Sequence, residues 1–208
     1  TGVKQLAASE TQKFGHVTYF FNGNRSGKFS EALETYVEVP SDRVPFEQRP
    51  WMKAAEVTDV VVDAIRSGKY GMIRVNLANG DMVGHTGNMQ AVLVAMGAVD
   101  LCVERIVAAV KKAGGVMVLS ADHGNADDML EHDKKGNVLL DADGIPCRKT
   151  SHSLNPVPCI VFDADNHGEY ASQLKEGLGI SSLAATCIEL LGYQAPAGYD
   201  PSVLNMKQ

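Results

Sequence analysis

No run in this 208-residue chain reaches the ~18 consecutive apolar residues that a membrane-spanning helix requires. The longest apolar region, around Ala91 to Val99, is too short and runs into Asp100. No signal-peptide pattern opens the chain. It begins at Thr1-Gly2-Val3 with no initiator methionine, as expected of a processed or truncated piece. An excess of basic residues is also missing. Nineteen Lys and Arg stand against 25 Asp and Glu, for a net charge of −6 and a pI near 5.5. Phosphate backbones and acidic membranes attract basic faces, so neither is an expected partner. Cysteine is scarce. Cys102, Cys147, Cys159 and Cys187 form no C-x-x-C pair, which removes the common zinc and dithiol motifs. Cys102 and Cys187 fall in helix-like apolar patterns and read as core residues. Reduced thiols in a cytoplasmic protein fit this usage best.

What is present is the composition of a packed domain. Hydrophobic residues make up 45% and charged residues 21%, so a core can form and disorder is not expected. Four short apolar or β-branched runs read as strands: His16–Phe21, Met72–Leu77, Val116–Ala121 and Val157–Phe162. Helical patterns lie between them. One has Pro50 and Trp51 at its start, apolar residues at Ala54, Val57, Val61 and Ile65, and Gly68 at its end. A long second helix begins near Met89, with Lys111 and Lys112 in its last turn and Gly114 as its stop. A third runs from about Ser182 to Leu191 and stops at Gly192. Strands alternating with such helices predict an α/β fold, with a mostly parallel sheet covered on both faces. Glu131–Lys149 is polar and turn-rich, with a short hairpin around Asn137–Leu140, and reads as an excursion from the sheet.

The residues with chemical potential follow the strands. Asp81 and His85, in "NLANGDMVGHTGN", come directly after Met72–Leu77. Asp122 and His123, in "ADHGN", come directly after Val116–Ala121, and His152 lies just before Val157–Phe162. Open α/β sheets bind ligands outside the carboxyl ends of their strands, so two Asp/His pairs are delivered to one edge. Mixed carboxylate and imidazole ligands suit Mn²⁺, Zn²⁺, Co²⁺ or Fe²⁺ better than Ca²⁺. Five such groups exceed the needs of one ion. Two ions would use them all and would serve phosphoryl transfer. Taken singly, a D-x-x-x-H is more often a turn and a DHGN a helix N-cap; the two pairs together with His152 favour metal. His16, His132 and His167 lack that context and read as surface or structural.

At these residues the sequence resembles a known family. "NLANGDMVGHTGN", "LSADHGNADDM", "TSHSLNPVPCIVF" and "ETQKFGHVTYFFNGNRSG" are similar to the carboxyl-terminal portion of the cofactor-independent phosphoglycerate mutases, within the alkaline phosphatase superfamily. The resemblance implies a three-layer α/β sandwich, present here only as the second segment of a discontinuous phosphatase-like domain. Residues 1–208 would be that segment, with the amino-terminal segment and the inserted phosphotransferase domain lying outside it. It implies interconversion of 3-phosphoglycerate and 2-phosphoglycerate through a phosphoserine, without 2,3-bisphosphoglycerate. Two divalent ions are implied, Mn²⁺ first, with Co²⁺, Mg²⁺ or Zn²⁺ as alternatives. Asp81, His85 and His152 would hold the ion that engages glycerate. Asp122 and His123 would hold the ion that activates the serine. Lys13, in "TQK", matches the family lysine that contacts the transferring phosphoryl group; without the family it is simply a surface lysine. Arg25, in "GNRSG", acquires no role.

The family's serine and its substrate-gripping arginines belong to the amino-terminal part. The implied partner is therefore that missing half, and the parent protein is expected to be a monomer. Two alternatives stand beside this reading. One is a related superfamily phosphohydrolase or phosphopentomutase. The other is an inactive metal-binding fragment that needs its other half.

Overall fold

The computed structural model describes residues 1–207 and divides into two units: residues 1–106 with 123–157, and residues 107–122 with 158–207. The strands are β1 (Gln5–Glu10), β2 (Glu34–Val39), β3 (Met72–Val75), β4 (Val116–Ser120) and β5 (Cys159–Asp163). The α-helices are α1 (Ala54–Ser67), α2 (Asn79–Gly84), α3 (Met89–Ala113) and α4 (Ser182–Leu190). No helix among the described residues is long and apolar enough to cross a membrane.

The first unit is built on a three-stranded parallel sheet in the order β2-β1-β3. β1 is the central strand, and both its faces are covered, since the consecutive Ala7 and Ala8 point to opposite faces and are completely buried. Helix α1 packs on this sheet through Val57 and Val61, each only 1% exposed. Burying each valine contributes about 1.5–3 kcal/mol relative to leaving it in water. The helix stops where Gly68 takes φ +62°, a left-handed cap that glycine adopts without steric cost. A second apolar cluster joins Met52, Ala78, Val83, Ala91, Val92, Ala95 and Met129. It anchors α2 against the first turns of α3.

The second unit contains the pair β4–β5 and helix α4. Val116 pairs with Asp163 and Ser120 with Cys159 in an antiparallel register. This corrects the expectation that Val157–Phe162 would run parallel to its neighbour. A buried apolar run signals a strand but carries no direction, and the long 131–149 excursion leaves the chain free to return either way.

The strand expected at His16–Phe21 is instead a π-helical turn over His16–Phe20. Its β-branched and aromatic residues favour a strand, but the chain has just left β1 at its carboxyl end and has to turn back. Thr18 Oγ1 donates to the Phe14 carbonyl at 2.7 Å, a back-bond that suits a helical turn. The hairpin expected near Asn137–Leu140 is a wider device. Asp133 and Asp141 each cap a tight turn, ending at Gly136 and Gly144. The N–H groups of Glu131, Leu139 and Cys147 bond the carbonyls of Cys147, Glu131 and Leu139, closing a three-stranded knot.

Candidate metal centre

β1 and β3 are parallel neighbours, so both release the chain at the same edge of the sheet. β1 runs into a 3-10 turn, Thr11–Lys13, that ends at the buried Lys13. β3 leads into α2, which carries Asp81 in its first turn and has His85 at its carboxyl cap. Four residues apart on a helix, Asp81 and His85 share a face. The Lys13 ammonium pairs with Asp81 Oδ2, and both side chains are largely shielded from solvent.

His123 and His152 arrive by a different route. The Ser153 N–H donates to the Gly124 carbonyl at 2.9 Å in an antiparallel bridge. That bridge sets the preceding residues side by side. The two imidazoles stack, with centroids 3.6 Å apart and planes 17° from parallel.

Asp81 Oδ1 is the point of convergence. It lies 3.1 Å from His85 Nε2, 3.1 Å from His152 Nε2 and 4.0 Å from His123 Nε2. The Nε2 atoms of His85 and His152 are 3.3 Å apart. His85 Nδ1 meets the Thr150 carbonyl at 2.6 Å. A carbonyl only accepts, so Nδ1 carries the hydrogen and neutral His85 turns the Nε2 lone pair inward. The His85 Nε2 lone pair then faces a carboxylate oxygen at 3.1 Å, an arrangement that needs a proton or a cation between them.

The spacing fits a first-row divalent ion. With bonds of ~2.1 Å, ligand atoms stand about 3.0 Å apart at octahedral and about 3.4 Å apart at tetrahedral angles. The observed edges of 3.1, 3.1 and 3.3 Å fall between the two. Asp81, His85 and His152 are a group whose donor atoms can share one ion. The carboxylate is kept ionised for the task. Burial works against its charge, but hydrogen bonds from Lys13 and Asn125 outweigh it and hold the Asp81 pKa down to about 2.

The remaining candidates are distributed as follows. Asp122 is exposed, two residues beyond β4, and is the last residue of its segment of the second unit. His167 is exposed on a turn. The His132 ring lies 3.7 Å from Asp128, and that of His16 packs against Phe20 with centroids 5.1 Å apart. The Arg25 guanidinium stacks over Phe29, 4.3 Å from the ring centre.

Several polar residues around the cluster were not singled out from the sequence. Asn125 Nδ2 donates to Asp81 Oδ1 at 2.8 Å and to the Asp81 carbonyl at 3.2 Å. Asp127 Oδ2 accepts from Ser153 Oγ and from Asn155 Nδ2, both at 2.7 Å. Their signal was in plain view, two and four residues after His123 in "DHGNAD" and one and three after His152 in "HSLN". Two glycines make the fit possible. A Cβ on Gly124 would collide with Ser153 Oγ and Asp127, and one on Gly84 would collide with the Asn125 amide.

Comparison with known proteins places this geometry in context. The family described as the metalloenzyme superfamily matches residues 1–195. The 2,3-bisphosphoglycerate-independent phosphoglycerate mutase of Trypanosoma brucei brucei is 50% identical over 208 residues, covering 99% of this chain and 38% of that protein. The mutase 1 of Arabidopsis thaliana is 47% identical, with 99% and 37% covered. A crystal structure of Leishmania mexicana phosphoglycerate mutase, determined at low cobalt concentration, superposes with a TM-score of 0.95 at 45% identity, covering 99% of this chain and 38% of that one. The chain thus spans a little over a third of the length of the relatives it matches.

Proposed function

The chain belongs to the metalloenzyme superfamily, and we propose that it is the carboxyl-terminal, metal-binding portion of a 2,3-bisphosphoglycerate-independent phosphoglycerate mutase. In this reading the whole protein interconverts 3-phosphoglycerate and 2-phosphoglycerate through a phosphoserine, and its serine and substrate-gripping residues lie outside residues 1–208. The observation that carries the proposal is the convergence of Asp81 Oδ1 with the Nε2 atoms of His85 and His152.

Each side chain then has a task that follows from its surroundings. Asp81, His85 and His152 hold one divalent ion. His123 and Asp122 contribute to a second, with Mn²⁺ the first choice for both. When bound, such ions supply positive charge that orients the glycerate oxygens and eases ionisation of a nucleophilic hydroxyl. Asp81 presents one oxygen to the ion and the other to Lys13, so it also positions the ammonium. Lys13, shielded from water, offsets charge on phosphoryl oxygens during transfer. The Thr150 carbonyl fixes the His85 tautomer that ligation requires. A cytoplasmic location belongs to the same proposal and agrees with the four free thiols.

The test is an assay of the intact parent protein with 3-phosphoglycerate and no added 2,3-bisphosphoglycerate. We expect 2-phosphoglycerate to form, the activity to vanish on chelation, and Mn²⁺ or Co²⁺ to restore it. Phosphate release with no 2-phosphoglycerate would replace the mutase reading with that of a related phosphohydrolase.

A further inference from the structure

The segment His123–Asp127 does more than present one imidazole. It touches the other two carriers of the cluster. Through Asn125 it reaches Asp81 on α2, donating to Oδ1 at 2.8 Å and to the main-chain carbonyl at 3.2 Å. Through Asp127 it holds the loop that carries His152, accepting from both Ser153 and Asn155 at 2.7 Å. The Gly124–Ser153 bridge completes the contact.

The two attachments act on different degrees of freedom. A carboxylate can bind an ion through one oxygen or both, and it rotates about its last bond. Here Lys13 occupies Oδ2 while Asn125 occupies one lone-pair direction of Oδ1. The free direction of Oδ1 faces the two imidazoles. Amide orientation is not arbitrary either. Asn125 has to turn its NH₂ toward Asp81, because a flipped amide would set oxygen against carboxylate. His152 is a different case. Its ring is 47% exposed and sits on a loop, not a helix, so its backbone is held by contacts of the loop itself. Ser153 is 5% exposed, and its hydroxyl hydrogen bond to Asp127 ties the residue next to His152 into the first unit.

We propose that Asn125 and Asp127 are the positioning residues of the metal centre, Asn125 fixing the orientation of the Asp81 carboxylate and Asp127 fixing the His152 loop. The proposal rests on the assignment of Asp81, His85 and His152 as ligands. Neither residue belongs to the group of donor atoms that could share the ion. Both act through the ligands they hold, as the outer partners of metal sites do elsewhere, where their loss costs about 10–100-fold in affinity.

The experiment uses the intact parent protein, stripped of metal and titrated with Co²⁺. Binding is followed by calorimetry and by the visible absorption of the bound ion, whose band shape reports coordination geometry. Asn125→Ala should weaken Co²⁺ binding about tenfold or more and change the band shape, because Oδ1 then loses the donor that fixes the rotation of the carboxylate about its last bond. Asp127→Ala should weaken binding by about the same factor. Asp127→Asn keeps an oxygen for Ser153 and Asn155 while removing the charge, and it should recover most of the loss. Thermal unfolding of each metal-free variant checks that it folds. Because Asn125 is buried, the exposed Asp127 variants carry the test if Asn125→Ala fails to fold. Wild-type affinity and band shape in both alanine variants would overturn the inference while leaving the site intact. Equal loss in Asp127→Ala and Asp127→Asn would overturn it too, by showing that charge and not hydrogen bonding acts. A wild-type protein that binds no Co²⁺ would instead overturn the ligand assignment on which the inference stands.

Discussion

Replacing Lys13 with methionine isolates the electrostatics of the centre, because methionine keeps the unbranched chain up to the ε position and removes the charged group. Burial alone would push the Asp81 carboxyl above its ordinary value. The Lys13 ammonium is the largest opposing influence, followed by Asn125, and together they bring the pKa from 3.8 to about 2. At about 1.4 kcal/mol per unit, the depressed value corresponds to about 2 kcal/mol of stability in the metal-free protein. That contribution is fully present above the unfolded-state value near 3.8 and is lost as pH falls through the folded-state value near 2. In Lys13→Met the burial penalty stays and its main counterweight goes, so the carboxyl rises and the contribution shrinks. The figure is an upper bound, since Lys13 is itself only 8% exposed and its desolvation offsets part of the gain. The assay is urea unfolding of chelator-treated protein across acidic pH. Wild type should exceed Lys13→Met by up to about 2 kcal/mol at neutral pH, and the gap should close between about pH 5 and about pH 2. A gap of constant size across that window would refute the reasoning, because only packing, which does not titrate, would then separate the two proteins.

Other expectations follow from the same geometry. His85→Ala removes a proposed ligand and should cost more divalent-ion affinity than the ~100-fold upper range for losing an outer partner. His167→Ala, on an exposed turn, should cost nothing, and similar losses in calorimetry of the two variants would contradict the assignment. Imidazole has to shed its proton to ligate, so affinity measured by equilibrium dialysis should fall on acidification; a flat profile would argue against histidine ligands. Gly124→Ala should destabilise the protein by about 1–3 kcal/mol through the collision with Ser153 and Asp127. Gly97→Ala, in α3 with open space where the methyl would go, should instead stabilise it by roughly 0.5–1 kcal/mol in denaturant unfolding.

What the sequence made legible depended on how far each signal was local. Helices α1, α3 and α4 lay where apolar spacing and terminal glycines predicted them, since amphipathic periodicity and caps are properties of one segment. β3, β4 and β5 were readable as apolar runs, but β1 was not. Its sequence, Gln-Leu-Ala-Ala-Ser-Glu, has no β-branched residue. Its small side chains let α1 and the His16–Phe20 turn approach a central position closely. β2 was hidden for another reason. Glu34 begins it and is buried, its carboxylate accepting from the N–H groups of Phe29 and Ser30 and from the Tyr36 hydroxyl. Composition cannot reveal that a carboxylate will be supplied with three donors. His16–Phe21 failed in the opposite sense, with strong strand propensity overruled by the need to turn at the sheet edge.

The site divides along the same line. Asp81, His85, His123 and His152 could be chosen from the sequence because metal ligation restricts residue type severely, and few side chains can do it. The residues that hold them are drawn from a wider chemistry, since almost any amide, hydroxyl or carbonyl can supply a hydrogen bond. Asn125, Asp127 and the Thr150 carbonyl therefore stood unmarked beside these four residues. The glycines carry the clearest lesson. Gly84 precedes His85 and Gly124 follows His123, yet neither has a left-handed φ. Each is small because another side chain needs the space: the Asn125 amide at Gly84, and the Ser153–Asp127 pair at Gly124. Gly84 and Gly124 are thus the imprint of the residues packed behind His85 and His123, and they point to Asn125, Ser153 and Asp127 as directly as residue type points to the histidines.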